Sequence, residues 1–190
     1  SMHRVSLVVL GKLVFTVMSA RGDEGRPAGG SLVVANMCGL PGSACEQLAQ
    51  SLVGPNIALS NVQCRAACNA IGRFSGGTGI IGFESGIVLG TGSVADIVGP
   101  NDSWGTTTIN GLRGDPDLAA MVPGTTLCFR FGPVPGVPRE RTCDAAVLEF
   151  DFQYVAGCQG ADVVSFAYVF ASEEYSEWVG TPDAQGAFND

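Results

Sequence analysis

The chain has 190 residues and a formal net charge of −8, from 10 Lys and Arg residues against 18 Asp and Glu residues. Hydrophobic residues make up 46% and charged residues only 15%, which excludes an intrinsically disordered chain. The acidic balance argues against a nucleic acid or an anionic membrane as the main partner, because both require clustered cations.

Residues 1–30 differ in composition from the rest of the chain. The stretch 2–20 begins with basic residues, continues as an apolar run and ends with small residues, which is the layout of a secretory signal peptide. Lys12 interrupts the apolar run, and a transmembrane span needs about 20 nearly uninterrupted apolar residues. Residues 21–30 are polar and glycine-rich and are interpreted as a linker. We therefore expect the folded domain to occupy residues 31–190.

One helix is predicted near the start of this domain. Ser43 and Glu46 have the spacing of a capping box, in which the two side chains satisfy free amides at a helix start. Leu48 and Leu52 follow at helical spacing, and the Gly54-Pro55 pair ends the helix. We expect the apolar side of this helix to pack onto the edge of a sheet.

The rest of the domain is predicted to consist of strands and turns. Two segments, 147–152 and 163–170, carry the strongest period-two alternation, which is typical of strands in a packed sheet. We expect their aromatic side chains to be shielded from water on one common layer. Further strands are predicted at 57–63, 79–83, 86–90, 106–110 and 125–131. Short strands between glycine-rich turns indicate an all-β fold, a jelly-roll-like β-sandwich with one short N-terminal helix.

Seven cysteines are present, and none has the CxxC spacing of a zinc or redox site. Disulfides formed in an oxidising compartment are therefore predicted. The simplest arrangement pairs neighbours in sequence. These pairs are Cys38–Cys45, Cys64–Cys68 and Cys128–Cys143, with Cys158 left over. The sequence does not determine the pairing, and the alternative is that several of these residues are buried free thiols.

Seven motifs follow one another between residues 43 and 190. They are AQSLVGP (49–55) with SNV (60–62), GFESGIVLGTG (82–92), GPN (99–101), GDPDL (114–118), DAAVLEFDF (144–152), YVFASEEY (168–175) and FND (188–190). In this order they resemble the choice-of-anchor L domain, a module of secreted and surface-attached bacterial proteins. The resemblance implies an all-β extracellular module and a secreted or cell-surface location. It does not imply an enzymatic or binding activity for this chain. Since the family pattern continues with further strands, we expect this chain to be a fragment that lacks the C-terminal strands.

Acidic and amide side chains gather in these motifs and suggest a calcium site. Ca²⁺ takes oxygen ligands from loops, and Glu173 and Glu174 directly follow an apolar strand, at the rim of the predicted sheet. The last residues of the chain can fold back beside them. The predicted ligands are Glu173, Glu174, Asn189, Asp190 and Asp102. The alternative is a solvated acidic surface in which the glutamates cap backbone amides or pair with arginines.

The predicted function is a non-catalytic extracellular structural or adhesive module that does not insert into a membrane. Its partner is a surface glycan, the extracellular matrix or a protein, and the sequence does not determine which. The single histidine, His3, lies near the N-terminus, which argues against Ser-His-Asp and multi-histidine metal chemistry. Trp104 and Trp178 are candidates for stacking on sugar rings, so a lectin-like carbohydrate-binding domain is the alternative. Less favoured is a glycan-active hydrolase with a carboxylate pair such as Glu149 and Glu173.

Overall fold

A computed structural model describes residues 2–9, 12–16, 31–53, 56–98, 108–121, 142–155, 166–171, 182–183 and 186–187. The strands within these ranges are β1 (His3–Val9), β2 (Lys12–Thr16), β3 (Val33–Asn36), β4 (Ile57–Arg65), β5 (Ile71–Ser75), β6 (Ser85–Gly90), β7 (Ala146–Tyr154), β8 (Ala167–Ala171), β9 (Pro182–Asp183) and β10 (Gly186–Ala187). The helices are α1 (Ala44–Leu52), α2 (Thr78–Ile81) and α3 (Pro116–Met121), with a 3₁₀ helix at Val94–Val98. Antiparallel pairing gives a small sheet β1-β7-β4, a large sheet β3-β5-β6-β2-β8 and a hairpin of β9 and β10. The all-β class is confirmed.

The small sheet, the large sheet and α1 share one hydrophobic core. Ile87 of β6 and both Leu148 and Phe150 of β7 are fully buried there, beside Leu48 and Leu52 of α1. Successive side chains of a strand point to opposite faces, so every second residue of β7 reaches this core. A core shared between two sheets is what a β-sandwich requires, and the sandwich itself stays a prediction.

The opposite face of the large sheet carries a second, smaller core. Phe74 of β5 and Val88 of β6 pack there with Leu32, which precedes β3, and with Val94 of the 3₁₀ helix. Strand β6 is therefore buried on both faces. This explains its continuous apolar run, which is typical of a strand inside a covered sheet.

The strand predictions are confirmed in part. Those at 57–63, 86–90 and 147–152 correspond to β4, β6 and β7. The one at 79–83 is wrong, because this segment contains the short helix α2, which ends at Gly82 with a positive φ of 80°. At 106–110 the described part, 108–110, is not a strand, and 125–131 lies outside the described residues.

The expectation that 147–152 and 163–170 share one layer is wrong. Strand β7 belongs to the small sheet, whereas β8 lies at the end of the large sheet. Tyr168 is 65% exposed and Phe170 is 51% exposed. Of the described part of this stretch, residues 166–170, only Phe166 packs against the main core. Alternation predicts that side chains share a face, but it does not predict which strands will cover that face.

Helix α1 begins and ends close to the predicted positions, and its buried residues include Leu48 and Leu52. The capping box is wrong, because Ser43 occupies the N-cap position without a side-chain hydrogen bond to the helix backbone. Its hydroxyl oxygen instead accepts a hydrogen bond from the side-chain amide of Gln47, at 3.4 Å. The helix is therefore positioned mainly by burial of its apolar side.

The local disulfide pairs Cys38–Cys45 and Cys64–Cys68 are wrong. The observed bridges join Cys38 to Cys68 and Cys45 to Cys64, so that the second is nested inside the first. Cys45 lies in the first turn of α1, which packs on β4, where Cys64 lies. The backbone amide of Met37 donates to the carbonyl oxygen of Cys68 at 2.9 Å. Packing of α1 on β4 therefore decides the pairing.

The prediction for the remaining cysteines falls largely outside the described residues. Cys143 is in a disulfide, while Cys128 and Cys158 are not among the described residues. The predicted Cys128–Cys143 pair and the leftover Cys158 stay predictions.

The apolar N-terminal stretch contributes strands to both sheets. Strand β1 pairs with β7, and β2 lies between β6 and β8. The interpretation of this stretch as a signal peptide, and a domain start at residue 31, stay predictions. Within the described part of the chain, no helix is long and apolar enough to cross a membrane.

Candidate functional site

The predicted calcium and sugar sites lie outside the described residues. This applies to Glu173, Glu174, Asn189, Asp190 and Asp102, and to the tryptophans Trp104 and Trp178. Among the residues that are described, no group of three or more His, Cys, Asp or Glu side chains is arranged to hold a metal ion. The acidic motifs that the structure does describe form two clusters around Asp115 and Asp144, and a polar face on the small sheet.

The first cluster is centred on Asp115 of the GDPDL motif, which is only 2% exposed. One carboxylate oxygen, Oδ2, accepts a hydrogen bond from Nη2 of Arg65 at 2.5 Å. The other, Oδ1, accepts from the backbone amides of Asp117 and Leu118 at 3.0 and 3.2 Å. Asp115 is thus the N-terminal cap of α3, and Pro116 takes the first helical position, where its missing N–H is harmless.

The same cluster fixes Asp115 through Thr142. The hydroxyl oxygen Oγ1 accepts from the backbone amide of Asp115 at 3.0 Å, and the hydroxyl lies 3.1 Å from the carbonyl oxygen of Asp115, to which it can donate. A Cβ atom at Gly114 would overlap both the carbonyl oxygen and Oγ1 of Thr142. Because Gly114 has no side chain, the two backbone segments can come close together, and Asp115 and Thr142 then form their hydrogen bonds.

Burial alone would raise the pKa of the Asp115 carboxyl group. The hydrogen bond from Arg65, those from the amides of Leu118 and Asp117, and the positive charge of Arg65 together outweigh burial and lower this pKa below its ordinary value. The ionised form is therefore the one that the folded protein stabilises. A carboxylate held in this way is a structural anion and a poor proton donor near neutral pH.

Replacing Asp115 with asparagine should weaken the fold mainly above pH 4. A carboxyl group whose pKa is lower when folded stabilises the protein above its unfolded-state pKa of about 3.9, and this stabilisation is lost as the pH falls through the folded-state pKa. We expect Asp115→Asn to lower the free energy of unfolding at pH 7 by about 1–2 kcal/mol, since Arg65 is half exposed and can be solvated. Urea unfolding between pH 2.5 and 7 measures the difference.

The matched control is Asp117→Asn, which removes an exposed carboxylate from the same helix. Its stability difference from the wild type should vary less with pH than that of Asp115→Asn. Equal pH dependence of the two variants would contradict the role assigned to Asp115.

The second cluster is centred on Asp144, at the start of the DAAVLEFDF motif. Asp144 adopts a left-handed conformation with φ of 51°. Its carboxylate oxygens accept from the backbone amides of Asn110 and Leu112 at 3.0 and 2.6 Å, and its own amide donates to the carbonyl oxygen of Leu112 at 3.0 Å. Asp144 therefore ties the segment 108–115 to the start of β7.

The acidic side chains of β7 connect strands of the small sheet. Glu149 forms an ion pair with Arg4 of β1. Asp151 accepts a hydrogen bond from the side-chain amide of Asn61 at 2.6 Å, and Asn61 has a φ of 52° at an irregularity of β4. The predicted hydrolase pair thus has one member, Glu149, on this face, and its other member, Glu173, is outside the described residues.

These structural carboxylates were not identified by sequence reasoning, which grouped the acidic residues as oxygen donors. One signal was present: an aspartate followed by proline, as in Asp115-Pro116, marks a helix start. For Asp144 the sequence carries no equivalent signal, because the amides that it accepts from lie 32 and 34 residues away.

The sequence model of the choice-of-anchor L domain matches residues 42–190, which is most of the chain. No curated protein and no solved structure matches the chain. The matched range includes α1, β4 to β8 and both aspartate clusters, whereas β1, β2 and β3 precede it. The chain belongs to the choice-of-anchor L domain family.

Proposed function

We propose that the chain is a non-catalytic structural or adhesive module of a secreted or surface-anchored bacterial protein. The family suggests a bacterial surface-associated module, and the disulfides fit an extracellular or surface protein. The proposal rests chiefly on one observation: the described motif carboxylates bind backbone amides and side chains of neighbouring segments.

Each of these carboxylates holds a neighbouring segment in place. Asp115 caps α3 and binds Arg65 of β4, and Asp144 fastens the segment 108–115. Asp151 binds Asn61 across two strands. General acid–base chemistry needs a carboxyl group that faces substrate with a pKa near the working pH, whereas the pKa of Asp115 is lowered. The described motif carboxylates thus hold the fold together, which favours a structural role over a catalytic one.

A hydrolysis assay tests the non-catalytic part of this proposal. The protein is incubated with soluble and polymeric glycans, and reducing ends are measured. We expect no release above that of heat-unfolded protein. Release that disappears in Glu149→Gln or Glu173→Gln, but persists in the control Glu46→Gln on the exposed side of α1, would establish a hydrolase instead.

The adhesive part is tested by binding to immobilised glycans and extracellular matrix proteins. If Trp104 or Trp178 stacks on a sugar ring, alanine at that position should weaken glycan binding by at least about 10-fold, as expected for an aromatic anchor. Phe170→Ala, which changes an exposed aromatic residue of β8, is the control and should leave binding unchanged. Glycan binding that survives both tryptophan substitutions would contradict the assignment of these residues.

We also propose that Ca²⁺ stabilises the module through Glu173, Glu174, Asn189, Asp190 and Asp102. At a free Ca²⁺ concentration of about 100 times the dissociation constant, binding adds about 2.7 kcal/mol of stability. The thermal midpoint should then rise by about 5–10 °C. The double variant Glu173→Gln/Glu174→Gln should lose this rise, while Glu46→Gln should keep it. An unchanged midpoint of the wild type in millimolar Ca²⁺ would show that no such site exists.

A further inference from the structure

We propose that residues 3–16 are a permanent part of the folded protein, in which they join the two sheets, and that they are not removed as a leader. Strand β1 pairs with β7 along its whole length, from His3 opposite Phe152 to Val9 opposite Ala146. Strand β2 is paired on both sides, with β6 from Lys12 to Phe15 and with β8 along its whole length.

Loss of β2 would open the large sheet in its interior. The strand order β3-β5-β6-β2-β8 places β2 between β6 and β8, so its removal leaves an unpaired edge on each neighbour. Strand β6 carries Ile87, Val88 and Leu89, all fully buried. An edge on such an apolar strand would expose unpaired backbone groups and favour association with other chains. In the described part of the chain, β8 is held in the sheet through β2 alone.

The segment also links the two sheets covalently. Strand β1 lies in the small sheet and β2 in the large sheet, and only residues 10 and 11 separate them. An ion pair between Arg4 of β1 and Glu149 of β7 adds a side-chain contact that holds β1 in the small sheet.

The apolar composition that suggests a leader has a second explanation here. Val and Leu, the residues that make this stretch resemble a leader, also occur in paired β-strands, and Val is enriched there. Lys12, which is unfavourable inside the apolar run of a leader, is the first residue of β2, at the point where the chain changes sheet. The matched range begins at residue 42, so β1 and β2 complete sheets whose other strands lie mainly within that range.

A proline in β2 tests the pairing in the full chain. Val14 is opposite Val88 of β6 and Val169 of β8, and proline cannot donate a backbone hydrogen bond to either neighbour. We expect Val14→Pro to lower the thermal midpoint by at least about 6 °C, or to prevent folding, while Val14→Ile lowers it by less than about 3 °C. Equal midpoints for the two variants would overturn the proposal.

Intact mass and hydrogen exchange test whether the segment is retained. The full chain is expressed in a bacterium that exports proteins. The intact mass of the folded product is measured by mass spectrometry, and the exchange of its amide hydrogens is followed in D₂O. We expect a mass that includes residues 1–20, and amide protection in β1 and β2 comparable to that in β6. A product that begins at Arg21, or unprotected amides throughout residues 3–16, would overturn the proposal.

Discussion

Replacing Cys45 and Cys64 together with alanine is expected to lower the free energy of unfolding by about 3–5 kcal/mol. Their bridge closes a loop with a sequence separation of 19, for which the chain-entropy model gives about 3 kcal/mol. Both residues are partly buried against the main core, so alanine also removes packed sulfur atoms there. The loss is measured by urea unfolding of the oxidised proteins.

The second bridge provides the matched comparison. Cys38 and Cys68 have a sequence separation of 30, and loop length alone would make their bridge about 0.4 kcal/mol more stabilising. Both residues are exposed, however, so no core contact is lost with them. We expect the packing difference to decide the order, with Cys38→Ala/Cys68→Ala the milder double variant. A larger loss from the exposed pair would show that loop closure, and not packing of α1 on β4, controls this region.

The parts of the fold that could be predicted are those that local hydrophobic periodicity indicates. The apolar side chains of α1 recur at helical spacing, and those of β7 alternate, so burial of Leu48, Phe150 and their neighbours follows from the sequence. The disulfide pairing was not predictable in this way. It depends on the position of α1 over β4, which brings Cys45 to Cys64, and a sequence does not specify which elements become neighbours.

The candidate site shows the same limit. Acidic residues were recognisable as a group, but their roles depend on partners far along the chain, such as Arg65, which lies 50 residues before Asp115. Similarly, β8 alternates as predicted, yet Tyr168 and Phe170 are exposed, and β8 is the last strand in the order of the large sheet as described. Edge or interior position is a property of the topology, and a period-two pattern is compatible with both.

Replacing Gly114 with alanine is expected to destabilise the protein by about 3 kcal/mol or more. The new Cβ would overlap the carbonyl oxygen of Thr142, which is backbone and cannot move aside as a flexible side chain can. The segment 112–115 must then shift away from 142–145, which breaks the hydrogen bonds between Asp115 and Thr142. Thermal unfolding should show a midpoint lowered by about 6–12 °C.

Gly42→Ala is the matched control, because a Cβ there meets no atom within 4 Å and the backbone needs no positive φ. Its thermal midpoint should stay within about 2 °C of that of the wild type. A second test separates the backbone overlap from that with Oγ1. Adding Thr142→Ala to Gly114→Ala removes Oγ1 but leaves the carbonyl oxygen in place, so stability should not be recovered. Recovery in this double variant would mean that the side chain of Thr142, and not its backbone, requires glycine at position 114.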